Sequence, residues 1–275
     1  METLFERIAQ IEAQGQEAVL VTVVEREGSV PGAPGAKMLV TADGRPVGTV
    51  GGGELEQQAI AKALEVLQQR KSTLVRYALM EGGGASTDER LDAACGGRAT
   101  VFFDYIGYAG HVFILGGGHV GQAIARHLQP LGLHVTVVDH RPEVAEGFQG
   151  ANRVIVGNYA AALADESVPE GSYFLITTPS HAFDYESLRD IMASNWKPRY
   201  VGMLGSRPKA ESMTARLVEE LGAERINWSV LYCPVGLDIG GPSPDEIAIS
   251  IISEIQALRY GKKGHKHMRL AWPQQ

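Results

Sequence analysis

The stretch from His111 to Arg141, HVFILGGGHVGQAIARHLQPLGLHVTVVDHR, constrains this chain more than any other. A short apolar run, Val112 to Leu115, has the length of a buried strand. Gly116-Gly117-Gly118-His119-Val120-Gly121 follows at once and fits G-x-G-x-x-G at Gly116, Gly118 and Gly121. Ala123, Ile124, His127, Leu128 and Leu131 then recur at helical spacing, and a second run, Val135 to Val138, ends in Asp139. Strand, glycine turn, helix, strand and acid, in that order, predict a dinucleotide-binding unit. Gly116 permits the tight turn, Gly118 has no Cβ to obstruct a pyrophosphate, and Gly121 lets helix and strand pack closely. Phosphates would sit on the free N–H groups of the helix start. Asp139 would accept hydrogen bonds from a ribose, which favours NAD over NADP. The fold predicted this way hosts many ligands, so it does not fix which one is bound.

The rest of the chain divides around that unit. Leu4, Phe5, Ile8 and Ile11 predict a first helix ending near Gly15. Strands are expected over Ala18 to Val24, Lys37 to Thr41, Val47 to Val50, Leu74 to Leu79 and Arg98 to Tyr105, with a helix from Glu54 to about Gln69. The glycine-rich, charged stretch Glu81 to Ala94 reads as a mobile loop. Residues 1–106 therefore form a small α/β domain, with a linker at Gly107 to Gly110. Residues 111–261 continue as alternating strands and helices, a Rossmann-like doubly wound parallel sheet. Strands are expected at Arg153 to Val156, Tyr173 to Thr177 and Tyr200 to Leu204, and helices at Tyr185 to Ser194 and Pro208 to Leu221. The last helix has strong start signals: Ser243 as N-cap, Pro244 in the first turn, and Glu246 completing a capping box. Residues 262–275 make a basic tail.

Several loops carry residues suited to chemistry. The free N–H groups of Gly28 to Lys37, with Ser29 and the Lys37 ammonium, can hold an anion or serve as an ordinary connection. Gly51-Gly52-Gly53 before a helix, with Glu56 one turn in, suits a phosphate or carboxylate equally with close packing. Cys95-Gly96-Gly97 leaves a sulfur accessible; its thiolate would ligate a soft metal or act as a nucleophile, and the plain alternative is a buried cysteine. Cys233 lies among apolar residues and reads as core. In the second domain Thr177, Thr178, Ser180, His181 and Asp184, then Gly205-Ser206-Arg207, then Asp238 between glycines, fall at strand ends where open α/β sheets bind ligands. Ser206 with Arg207 would clamp a phosphate.

Composition narrows the class. The 275 residues carry a net charge of −7, which argues against a broad nucleic-acid or anionic-membrane surface. Two cysteines are too few for a disulfide framework. The acidic, amphipathic N-terminus is not a signal peptide, and no apolar run reaches bilayer length. A cytoplasmic protein with reduced thiols is expected. No P-loop, G-x-S-x-G or H-E-x-x-H appears, and no catalytic residue is assigned.

As a set, these motifs resemble the XdhC/CoxI family, xanthine dehydrogenase accessory proteins that handle the molybdenum cofactor for molybdenum hydroxylases. The resemblance rests on Gly28-Ser29 with Pro31, Gly35-Ala36-Lys37-Met38, Gly51-Gly52-Gly53 with Leu55-Glu56, and Cys95-Gly96-Gly97. It continues through the Gly116 to Gly121 turn with Val137-Val138-Asp139 and Arg141, Val201-Gly202 with Leu204-Gly205-Ser206-Arg207, Pro234 to Gly240, and Pro244 with Glu246-Ile247-Ala248. It implies a cofactor chaperone more than a catalyst. Such a protein binds a molybdopterin-type cofactor, shields it during sulfuration by a cysteine desulfurase, and helps insert it into an apo-hydroxylase; we expect a homodimer. On this reading Lys37 and the glycine loops suit the cofactor's phosphate, and Cys95 suits a soft contact to molybdenum or sulfur. The loop Thr178-Pro179-Ser180-His181 is less rich in histidine and acid than the family's, so no role is carried to His181. Two other classes remain as alternatives: an NAD(P)-responsive regulatory module, or an oxidoreductase using the Rossmann domain.

Overall fold

The computed structural model describes residues 3–28, 31–80, 84–87 and 97–264. Ser29, Cys95, Gly96 and the tail from His265 onward therefore lie outside the described residues. The chain divides into two compact units, residues 1–108 and 109–275.

Unit 1 is a six-stranded antiparallel sheet with helices α1 (Leu4–Ala13) and α2 (Gly53–Gln69). Its strands are β1 (Ala18–Gly28), β2 (Lys37–Thr41), β3 (Pro46–Gly48), β4 (Thr73–Met80), β5 (Gly84–Thr87) and β6 (Gly97–Ile106), in the order β3-β2-β1-β6-β4-β5. Alternation of side chains assigns the two faces. Val19, Val21, Val23, Met38, Val40, Val101 and Phe103 turn to one face, where Leu55, Ala59, Ala63 and Val66 of α2 bury them. On the other face Ile11 of α1, with Leu4 and Ile8, covers only Ala18, Leu20, Leu39 and Ile106. Phe5, grouped with the apolar side of the first helix, is exposed. Glu81 to Ala94 is not wholly a loop: Gly84–Thr87 pairs with Tyr77–Met80. Four residues without a large apolar side chain give no periodic signal, so this strand is set by its neighbour's backbone.

Unit 2 is a six-stranded parallel sheet. It comprises β7 (His111–Leu115), β8 (His134–Asp139), β9 (Arg153–Val156), β10 (Tyr173–Ile176), β11 (Tyr200–Met203) and β12 (Leu231–Tyr232). The order β12-β11-β10-β7-β8-β9 reverses between β7 and β10, the doubly wound arrangement. The helices are α3 (His119–Leu128), α4 (Pro142–Glu146), α5 (His181–Ala193), α6 (Arg207–Leu221) and α7 (Pro244–Arg259). Val112, Ile114, Val135 and Val137 pack one face against α3 and α7, while Phe113, Leu115, Phe174 and Ile176 pack the other against α5 and α6. Ser243 caps α7 through a capping box with Glu246, as its sequence predicts. Among the described residues no helix is long and apolar enough to cross a membrane.

Candidate functional sites, one in each unit

In unit 2 the crevice lies beyond the C-terminal ends of β7, β8 and β10. The three motif glycines do different work there. Gly116 has φ +114, and a Cβ on it would lie 2.4 Å from the Thr177 carbonyl oxygen. A Cβ on Gly121 would lie 2.0 Å from the Gly116 carbonyl oxygen. Both are small because the chain itself comes close. Gly118, the N-cap of α3, has φ −68, and a Cβ there would meet nothing within 4 Å. The fold leaves that direction open, as a ligand seat requires. A cleft of about 350 Å³ opens beside it, walled by His119, Gln122, Arg141, Glu143 and Phe148.

Asp139 does not stand where the sequence places it chemically. Its side chain is fully buried. Gly117 N–H donates to Oδ2 at 2.8 Å, Arg141 N–H and Nε donate to Oδ1 at 3.0 and 2.9 Å, and Arg141 Nη2 donates to Oδ2 at 2.8 Å. Burial by itself would raise this carboxyl, but the bonds from Arg141 and Gly117 outweigh it and hold the group below its ordinary value. With both oxygens taken, Asp139 ties the glycine turn to the end of β8 and offers no open edge to a ribose. Beside it His140 Nδ1 pairs with Tyr159 Oη at 2.7 Å. Burial and the charge of Asp139 push the Tyr159 phenol up to about 12.

A second buried group closes the crevice. Asp184 on α5 accepts Lys209 Nζ from α6 and, at 2.6 Å, Thr178 Oγ1. Lys209 also donates to the Leu204 carbonyl at 3.1 Å. Cys233 lies half-buried, packed against the core as its apolar flanks predict, and burial pushes its thiol up to about 11. Ser206 and Arg207 stand exposed at the start of α6, and His181 stands exposed at the start of α5. Asp238 stands exposed in the loop before α7.

In unit 1 the glycine loop before α2 is closely packed at Gly51. Gly51, Gly52 and Gly53 all have positive φ, and a Cβ on Gly51 would lie 2.3 Å from Gly32 N. Their amides are partly spent within the chain: Gly51 N–H donates to Thr49 Oγ1 at 3.1 Å and Gly52 N–H to Glu56 Oε2 at 3.1 Å. The same Glu56 oxygen accepts Val50 N–H at 3.2 Å and the Thr49 hydroxyl. Glu56 is thus the anion of this loop, and its carboxyl is held below its ordinary value chiefly by the Thr49 bond. A depressed carboxyl contributes stability above its unfolded pKa and loses it as pH falls through the folded value. Glu56→Gln should therefore lower the thermal midpoint at pH 7, and the gap to wild type should close as the pH is taken below the carboxylate range. A gap unchanged at pH 3 would contradict the carboxylate's role.

Lys37 opens β2 next to Met38, which is fully buried under α2, so its side chain leaves by the opposite face. There Nζ donates to Thr22 Oγ1 at 3.3 Å. Strand register extends this face. Thr22 pairs with both Lys37 and Phe102, Thr100 pairs with Glu25 and Arg76, and Arg98 pairs with Glu27 and Ala78. Cross-strand partners share a face, so Lys37, Thr100, Arg76 and Arg98 stand on the part that α1 leaves uncovered. A groove of about 310 Å³ runs along Arg76, Arg98, Thr100, Glu25 and Glu27. Single-sequence reading finds Lys37 and not the two arginines, because only register brings them together. Among the described residues no group of three or more His, Cys, Asp or Glu can hold a metal ion.

Comparison with known proteins gives matches across both units. The model of the XdhC Rossmann domain matches residues 112–255, and that of the XdhC and CoxI family matches residues 11–78. The uncharacterized protein YqeB of Escherichia coli is 30% identical over 98% of this chain, which spans 49% of that protein's length, about half. A probable xanthine dehydrogenase subunit of Bacillus subtilis is 24% identical over 89% of this chain and 94% of its own. The molybdenum cofactor insertion chaperone PaoD of Escherichia coli is 24% identical over 89% of this chain and 84% of its own.

Proposed function

Starting from the premise that the chain belongs to the XdhC and CoxI family, we propose that it is an accessory protein in molybdenum-cofactor traffic. It receives a molybdopterin-type cofactor as cargo, shields it while a cysteine desulfurase supplies sulfur, and passes it to a xanthine dehydrogenase-type hydroxylase. The observation that carries this reading is the pair of family matches in chain order, one on each unit. The name of PaoD describes the same kind of task.

Unit 1 is the cargo site on this reading. A pterin phosphate is an anion, and the open face of the sheet presents Lys37, Arg76 and Arg98 together with the Thr100 hydroxyl. Guanidinium groups match phosphate with paired donors. Cys95, just before β6 in the chain, supplies a thiolate suited to molybdenum or its sulfur. The Gly51 to Gly53 turn, held by Glu56, fixes the start of α2 behind that face. The protein acts by holding and excluding water, not by turnover.

The test is to purify the full chain from a host that makes the cofactor and to measure molybdenum and released pterin per chain. Wild type should carry pterin. Cys95→Ala and Arg76→Ala should each lose most of it with unchanged thermal midpoints. Equal pterin in all three proteins would remove the assigned site, and no pterin in wild type would remove the carrier reading.

A further inference from the structure

Arg141 stands at the end of β8, where the first βαβ half of a nucleotide-binding sheet reads the ribose of its ligand. Its guanidinium is held flat by Asp139 through Nε at 2.9 Å and Nη2 at 2.8 Å. A guanidinium has five N–H donors in a fixed fork. After those two bonds three remain, two on Nη1 and one on Nη2, and none meets an acceptor among the described residues. They lie on the edge of the fork turned away from Asp139. The side chain is one-third exposed, while Asp139 is fully enclosed.

Arg141 is one wall of the cleft of about 350 Å³. Its other walls suit a nucleotide. Val144 and Phe148 are apolar, Gly118 leaves its Cβ direction vacant, and no acidic residue stands in the first turn of α3. Glu143 is the one carboxylate on the rim; it stands beyond ion-pair distance of Arg141, and its charge acts on the guanidinium from there. A free ribose diol would find no acceptor in Asp139, whose oxygens are filled. A phosphate ester on the same ribose would find three oriented donors.

We propose that the unit 2 cleft binds a nucleotide whose ribose carries a phosphomonoester, the phosphate engaging the Nη edge of Arg141, and that it discriminates against the free diol. Asp139 is then a positioning residue that orients Arg141. This reverses the preference for NAD that an acid at the end of the second strand suggests. It concerns a different unit from the cargo site and does not rest on the cofactor-carrier reading.

Titration calorimetry of the full chain at low ionic strength, with 2′,5′-ADP and 5′-AMP as probes that differ only by the 2′-phosphate, tests it. Charge-assisted bonds from a fixed fork should make 2′,5′-ADP bind at least about tenfold tighter. Arg141→Lys keeps a cation against Asp139 but loses the fork. It should bring 2′,5′-ADP down to the affinity of 5′-AMP for the same variant. Asp139→Asn, which loosens the orientation without removing the arginine, should shrink the preference only in part. Equal affinity of the two probes for wild type, tighter binding of 5′-AMP, or no binding of either at millimolar concentration would overturn the proposal. A preference that survives in Arg141→Lys would move the phosphate to another group. If Arg141→Lys fails to fold, the two-probe comparison on wild type still decides.

Discussion

Replacing Lys209 by methionine should destabilise unit 2 by about 3–5 kcal/mol, because it leaves a charged carboxylate enclosed without its counter-ion. The Asp184 side chain is 3% exposed and that of Lys209 is 13% exposed. Thr178 N–H at 3.2 Å and Thr178 Oγ1 at 2.6 Å would remain on Asp184, and neither carries a full charge. For a unit of this size the loss corresponds to a fall of roughly 10 °C in thermal midpoint. Urea denaturation should show the midpoint moving with little change in slope. In an Asp184→Asn background the same Lys209→Met change should cost far less, since the buried charge is already gone. A double-mutant cycle would report the difference as the coupling of the pair. A single-variant loss under about 1 kcal/mol would mean that water reaches the carboxylate and the pair behaves like a surface one. The pair joins α5 to α6 and holds the loop after β10, so its loss should also widen the crevice at the point where the strand order reverses.

The parts of this structure that were legible in the sequence are those decided by neighbours along the chain. Gly116, Gly118 and Gly121 fall within six consecutive residues, so the turn and the start of α3 follow from local sterics. The Ser243 to Glu246 cap is equally local, and it stands as its residues predict. The Asp139 to Arg141 contact spans two residues, yet it was not legible. The sequence places an acid at the end of a strand but does not say which way its oxygens are turned. The Lys37, Arg76 and Arg98 face lies further out of reach. Strands β2, β4 and β6 carry these residues, and only the register across β1 and β6 puts them on one side. The bulge between Val23 and Glu25 shifts that register by one residue, a feature no composition signal marks. Asp184 and Lys209 are likewise joined only once α5 and α6 are packed.

Gly121→Ala and Gly118→Ala should separate what the glycine turn does for folding from what it does for a ligand. At Gly121 the new methyl would sit 2.0 Å from the Gly116 carbonyl oxygen, 3.1 Å from its carbon and 3.3 Å from Ile114 Cγ2. Two of those atoms are backbone, and the oxygen already accepts Thr177 Oγ1 at 2.9 Å. The turn cannot yield without lifting α3 off β7. The expected cost is about 3 kcal/mol or more, at the upper end of overpacking, and the variant should fold poorly or not at all. At Gly118 the same methyl meets nothing within 4 Å, and φ is −68, a value any residue adopts. Alanine there gives up only the modest preference of an N-cap for glycine, at most about 1 kcal/mol. The methyl does point into the space where a phosphate would approach the first amides of α3. Gly118→Ala should therefore keep a thermal midpoint near wild type while losing nucleotide affinity by about tenfold or more, the effect of crowding a phosphate seat. If Gly121→Ala were as stable as wild type, the close approach of α3 to β7 would be wrong. If Gly118→Ala bound every nucleotide as wild type does, the vacant Cβ direction would have no ligand to explain it. The two variants add the same atom three residues apart, so any difference between them is a difference in what each glycine faces.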